Sequence, residues 1–397
     1  MPSSSNKPPY PAGIETLLTH AGRVPSDQAG FVNTPVYRGS TVVFETLDAL
    51  EDNSIRYRYG RQGTPLTTGL EDIVSQLEGA EGTVLAPSGV AAISTALLSC
   101  LSAGDEVLIT DSVYQPTRDL ADTVLKRLGV SARFFDPRMG AGIAEIVSDT
   151  TRAVFLESPG SLTFEIQDIP AITGALRGMD ITTLVDNSWA TPLFYRPLAL
   201  GADIVIHSGT KMFVGHSDVM LGTVSANARA LPNLKKTHRS LGITASPDDT
   251  YLTTRGMRTL AVRMAEHRDR ALELARWLEA QEGVSAVLHP ALSSHPDHAL
   301  FARDFSGSGS LFSFVLPPAP RAAIAAFVDE LSLFGMGYSW GGFESLILPS
   351  RPANIRTAVP WTETGNLFRV HVGFEDMEGL EADLAGGISR YFKAAGM

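Results

Sequence analysis

The sequence predicts an α/β protein with a mostly parallel central sheet, followed by a smaller α+β domain. Three observations carry that prediction. Short apolar runs alternate with longer amphipathic ones as far as about Thr254, and beyond it the alternation breaks. The residues richest in chemistry fall just past the ends of apolar runs, where open α/β sheets gather their ligands. The chain has 397 residues, 44% hydrophobic and 19% charged, which is long enough for two cores rather than one.

Taken in order, Glu106–Ile109, Ala153–Leu156, Ile181–Val185 and Ile204–Ile206 are the strand candidates, and a further run lies at Thr83–Ala86. Their near-continuous apolar character suits strands covered on both faces. Gly89–Leu98, Thr117–Leu128 and Ile169–Arg177 are the helical stretches between them. After Thr254 come a long helix from Leu260 to Gln281, an alternating strand Ser310–Leu316, a helix Pro320–Leu331 and two more strand-like pieces. A closing helix spans Leu380–Phe392. The expected division is an arm over residues 1–60, a large domain over 61–255 and a C-terminal α+β domain over 256–397. Met1–Pro9 lacks the apolar stretch of a signal peptide and is expected to be a flexible tail.

Bulk properties exclude several classes. A net charge of −11 and a pI near 5.3 argue against a nucleic-acid partner. No apolar stretch approaches the ~18 residues of a membrane span. The single cysteine, Cys100, cannot form an internal disulfide, and its apolar helical setting makes it core filler. The nine histidines, His216 and His371 among them, show no spacing suited to a metal, so no metal is expected. A cytoplasmic enzyme is the expectation.

The segment His207–Asp218 is the most informative. Lys211 is the one lysine between Lys126 and Lys235, and it follows the apolar run ending at Ile206. Desolvation at a strand end lowers an ammonium pKa, and a neutral amine condenses with aldehydes. Ser208 and Thr210 flank it with hydroxyls suited to phosphate oxygens, and Asp186 ends the run Ile181–Val185. An aldehyde anchor, an acid for a pyridinium nitrogen and a phosphate cup are what pyridoxal 5'-phosphate (PLP) requires. The bland reading is a Lys–Asp ion pair beside ordinary capping hydroxyls. Ser88, Gly89 and Val90 sit between the run Thr83–Ala86 and an apolar helix, as a phosphate cradle or an ordinary cap. Tyr114 follows the strand ending at Ile109, placed to stack on a planar cofactor or to fill the core beside Pro116. Tyr59 and Arg61 lie in a basic, glycine-broken loop, which either closes on a phosphate or is merely solvated. Because that loop precedes the sheet, donation to a neighbouring subunit's site is the easier geometry. Arg369, inside the alternating segment Phe368–Gly373, matches an amino-acid carboxylate or a structural acid.

Ser208–Lys211, then Gly215–Asp218, with Val185–Pro192 upstream, together resemble the Cys/Met-metabolism family of PLP enzymes, over about Tyr59 to Gly373. The resemblance implies an aminotransferase-like, fold-type-I architecture. It implies that Lys211 anchors the cofactor and carries the proton, Asp186 meets the ring nitrogen and Tyr114 stacks on the ring. Ser88, Gly89, Val90, Ser208 and Thr210 would meet the phosphate, and Tyr59 and Arg61 would reach it from the adjacent subunit of a homotetramer. Arg369 would hold the substrate carboxylate, while Tyr338, Ser339 and Trp340 would line the substrate pocket. Phe155–Ser161, Ser310–Phe314 and above all Tyr338–Leu346 resemble the bacterial β-lyase branch, implying Cβ–S cleavage of cystathionine. The pattern departs at Gln62, where a second arginine is usual, and at His238 or Arg239, where a tyrosine is usual. Arg58, Arg61 and Arg239 are then the candidates for the charge at the substrate's distal end.

Overall fold

A computed structural model describes residues 13–397; the expected tail Met1–Pro9 lies outside the described residues. The larger sheet has seven strands: β1 (Gly82–Ala86), β2 (Glu106–Thr110), β3 (Ser131–Phe135), β4 (Thr151–Glu157), β5 (Thr182–Asp186), β6 (Ile204–Ser208) and β7 (Gly222–Ala226). Their order is β1-β7-β6-β5-β4-β2-β3. Strands β2 to β6 pair in parallel, and β7 runs antiparallel between β1 and β6. Both faces are covered, as the continuous apolar runs require. Val107, Ile109, Ala153 and Phe155 enter one core, with the helix Gly89–Leu98, while Leu108, Val154 and Leu156 enter another.

The second sheet is antiparallel, with β8 (Ala286–Leu288), β9 (Leu311–Leu316), β10 (Leu346–Ser350) and β11 (Asn366–His371) in the order β10-β11-β9-β8. It packs against the helices Leu260–Glu279, Arg321–Val328 and Met377–Ala395 through Leu274, Phe314, Phe327, Phe368 and Leu384. A further cluster places Met212 and Phe213 against Leu70, Ile73 and Leu260, so the turn that carries Lys211 is rooted in apolar contacts.

The expected fold class stands. Within it, Thr117–Leu128 is more broken than expected: a helix Gln115–Leu120 continues through a π-turn at Ala121–Leu125. Strands β3 and β7 were not expected from the sequence, and β7 is the antiparallel exception in a mostly parallel sheet. No helix among the described residues is long and apolar enough to cross a membrane.

Candidate active site

The carboxyl ends of β4, β5 and β6 place Glu157, Asp186 and Ser208 side by side, since Glu157 pairs in register with Asp186 and Leu184–Asp186 pairs with Ile204–Ile206. Lys211 follows β6 by one tight turn, its N–H bonded to the Ser208 carbonyl at 3.0 Å. Its Nζ donates to Ser339 Oγ at 2.7 Å and lies 5.4 Å from the Trp340 ring centroid. Burial, then the charge of Arg369, pull the Lys211 ammonium down to about 8, with Asp186 opposing them. At that value roughly a tenth of the amine is neutral at pH 7.

Asp186 is held by its own turn: the Ser188 N–H and Oγ–H both donate to its Oδ1, at 2.9 and 2.6 Å. The Ser188 hydroxyl in turn accepts the Ser208 N–H at 2.7 Å. This relay ties the ends of β5 and β6 together. Desolvation raises the Asp186 pKa, against the Ser188 hydrogen bonds and the charges of His207 and Lys211. A protonated ring nitrogen beside it would offset that desolvation.

The helix Gly89–Leu98 starts at the same edge. Ser88 caps it by accepting the Ala91 N–H, and the Gly89 and Val90 amides have no protein acceptor among the described residues. Gly89 is required by close approach: a Cβ there would stand 2.7 Å from Ser208 Oγ. A helix N-terminus pressed on a serine hydroxyl is a seat for a phosphate. Thr210 is fixed beside it: its hydroxyl lies 3.2 Å from the Leu221 carbonyl and accepts the Leu221 N–H at 3.0 Å.

Tyr114 caps the helix Gln115–Leu120 and is 42% exposed, with its N–H bonded to Glu157 Oε2 at 2.7 Å. Desolvation, then the nearby Glu157 and Asp186 carboxyls, raise the phenol pKa, against Arg369. Arg369 is a half-buried cation on β11 whose Nη2 reaches only carbonyls, those of Gly337, Tyr338 and Ser339 at 3.3, 2.9 and 3.4 Å. Desolvation lowers it to about 10, and no carboxylate pairs with it among the described residues. Of Tyr338 only the carbonyl belongs to this cluster, since the residue is 90% exposed.

The structure thus gathers Lys211, Asp186, Ser88, Gly89, Ser208, Tyr114, Ser339, Trp340 and Arg369 at one edge of the large sheet. The contacts of Tyr59 and Arg61 lie outside this group of side chains. Arg61 donates to the Arg239 carbonyl at 3.0 Å and lies 5.8 Å from the Tyr59 ring, while His238 Nε2 meets the Leu85 carbonyl at 2.8 Å. Glu157 and Ser188 are additions to the site. The signal for Glu157 was available, an acid ending the apolar run beside the one that ends in Asp186; Ser188 had no signal of its own outside the resemblance.

An amine of lowered pKa, an acid at the end of the neighbouring strand and a glycine-lined helix start fit a phosphorylated pyridine aldehyde. A family model for Cys/Met metabolism PLP-dependent enzymes matches residues 15–389. A putative cystathionine beta-lyase of Rhizobium johnstonii is 47% identical over 95% of this chain and 96% of its own. The cystathionine beta-lyase of Salmonella typhimurium is 41% identical over 95% of this chain and 98% of its own. Among solved structures, a cystathionine gamma synthase from Xanthomonas oryzae pv. oryzae superposes with a TM-score of 0.88 at 33% identity, covering 97% of this chain and all of that one. Sequence and architecture agree: the chain belongs to the Cys/Met metabolism family of PLP-dependent enzymes.

Proposed function

We propose that this enzyme is a carbon–sulfur β-lyase that cleaves L-cystathionine to homocysteine, pyruvate and ammonia. One observation carries the reading: Arg369, a desolvated guanidinium with no acid partner among the described residues, shares its surroundings with a lysine poised near 8. An amino-acid carboxylate is the natural partner of that fork. Curated relatives named cystathionine beta-lyase support the substrate.

PLP bound here supplies an electron sink for the pair released when the Cα–H bond breaks. Asp186, oriented by Ser188, keeps the ring nitrogen protonated. Neutral Lys211 Nζ takes the Cα proton, and Ser339 holds that amine in place. Arg369 fixes the carboxylate, and Tyr114 retains its phenol proton because burial and the neighbouring acids disfavour phenolate. The Gly89 and Val90 amides with Ser208 seat the phosphate. Expulsion of the Cβ thiolate, its protonation and addition of water then give the three products.

The same reading assigns residues 1–60 as an arm, 61–255 as the cofactor domain and 256–397 as the second domain. Tyr59 and Arg61 complete the site of a neighbouring subunit in a homotetramer. That Arg61 bonds the Arg239 carbonyl supports this, as does the apolar exposure of the arm at Phe31 (71%) and Val43 (85%). One cysteine suits a reducing compartment, so we place the enzyme in the cytoplasm. Gln62 supports a second reading, a broader cysteine-S-conjugate β-lyase that does not require a distal carboxylate. Incubation with cystathionine, cystine, methionine and O-acetylhomoserine, with product identification, separates the possibilities. Pyruvate from cystathionine is expected; 2-oxobutyrate would convert the assignment to γ-chemistry, and pyruvate from cystine alone would favour the broader lyase.

A further inference from the structure

We infer that His371 is a positioning residue for the reactive lysine, acting on Ser339 through the Gly341–Gly342 peptide. The inference rests on Lys211 being the reactive amine proposed above. Residues two apart on a strand project from the same face, so Arg369 and His371 on β11 both meet the segment 337–342. Arg369 binds carbonyls at its start, from Gly337 to Ser339. His371 binds its end: Nε2 lies 3.2 Å from the Gly341 nitrogen and 3.1 Å from the Gly342 oxygen. The other ring nitrogen, Nδ1, is 2.7 Å from Ser310 Oγ on the residue that precedes β9.

The ring is 1% exposed, and both of its nitrogens are engaged. With the proton on Nε2 it donates to Gly342 O and accepts from Ser310; with the proton on Nδ1 it donates to Ser310 and accepts the Gly341 N–H. In either tautomer the segment is fastened to β11 at Gly341–Gly342. That fastening bears directly on Lys211. Gly341 has φ +92°, and a Cβ added to it would stand 2.9 Å from the Lys211 Cα and carbonyl carbon. The segment therefore lies in contact with the lysine backbone while, two residues earlier, Ser339 Oγ receives the lysine Nζ at 2.7 Å. A shift of a few tenths of an ångström at Gly341 moves Ser339 relative to the amine. Hydrogen bonds are sensitive to displacements of that size.

The test is a double-mutant cycle between His371 and Ser339, read on the holoenzyme with whichever substrate the wild-type enzyme turns over. Wild-type turnover thus reports on the proposed function separately from the cycle. His371→Ala is expected to lower kcat roughly tenfold, about the loss of one hydrogen bond's worth of positioning, with little change in KM. His371→Asn, which restores an N–H for Gly342, is expected to recover part of that loss. In a Ser339→Ala background the His371→Ala change is expected to add little, because its route to the lysine has already been cut. Effects that simply multiply, or a lowered Tm with unchanged kcat, would overturn the inference. Should the Ala variant fail to fold, the Asn variant carries the same cycle with the same criteria.

Discussion

At the scale of single residues, the site is organised by what each charge lacks. Among the described residues Lys211 has no acid within bonding distance and settles on a serine hydroxyl, so desolvation dominates and its pKa falls to about 8. Arg369 likewise has only carbonyl partners. A buried cation without an acid is costly in a finished core and reasonable in a site that receives an anionic amino acid. Replacing Arg369 with Lys keeps a charge but loses the planar fork, and is expected to raise KM for the substrate by roughly tenfold to a hundredfold. Steady-state kinetics of Arg369→Lys beside wild type check this; an unchanged KM removes Arg369 from carboxylate binding. The residue types at these positions were legible in the sequence because chemistry of this kind has few solutions. His371 was visible only as a lone histidine without metal spacing, since its partners are backbone atoms of a segment thirty residues away and a serine hydroxyl sixty-one residues away.

At the scale of elements, the parallel strands β2, β4, β5 and β6 were legible because both their faces are buried, which writes a continuous apolar run into the chain. Strand β3 was not, being an edge strand with alternating exposure that carries Arg133. Strand β7 escaped because Gly222, Thr223 and Ser225 are small or polar although wholly buried. A junction between elements was equally hidden. Asp111, one residue beyond β2, accepts the backbone N–H groups of Thr357, Ala358 and Val359 and the Arg118 guanidinium at 2.7 Å. It pins the connection between β10 and β11 to the strand end that leads into Tyr114. Desolvation raises its pKa, and the hydrogen bonds from Thr357, Val359 and Arg118 outweigh it, leaving the carboxyl below its usual range. Its folded pKa lies below its unfolded value, near 3.9. The stability it contributes is therefore full above that unfolded value and lost as pH falls through the folded one. Asp111→Asn is expected to cost about 3–5 kcal/mol at neutral pH, because the Arg118 charge stays buried. The penalty should shrink as the medium is acidified. Urea midpoints of both proteins against pH measure this; a penalty independent of pH, or absent, contradicts the clamp.

At the scale of the whole molecule, two sheets meet around one edge, and Lys211 with Asp186 comes from the larger while Arg369 and Ser339 come from the smaller unit and its loops. The two-part architecture could be read from the change of pattern near Thr254. The sequence bears on assembly only through the awkward position of Tyr59 and Arg61, because a subunit contact leaves no periodicity in a sequence, and the arm's reach into a neighbour is our proposal. If an arm completes its neighbour's site, mixing inactive Lys211→Ala subunits with inactive Arg61→Ala subunits should restore about a quarter of wild-type activity. Half of the dimers formed are mixed, and one of the two sites in each has both residues intact. Absence of any recovery, with subunit exchange verified, would confine the arm to its own chain.

Every role proposed for the site depends on which side chain carries the cofactor. Borohydride reduction of the holoenzyme followed by peptide mapping answers that directly. The prediction is one pyridoxyl-labelled peptide per chain, spanning Lys211, with loss of activity in step with labelling. A label on Lys126, Lys235 or Lys236, or no label in an active preparation, would contradict it.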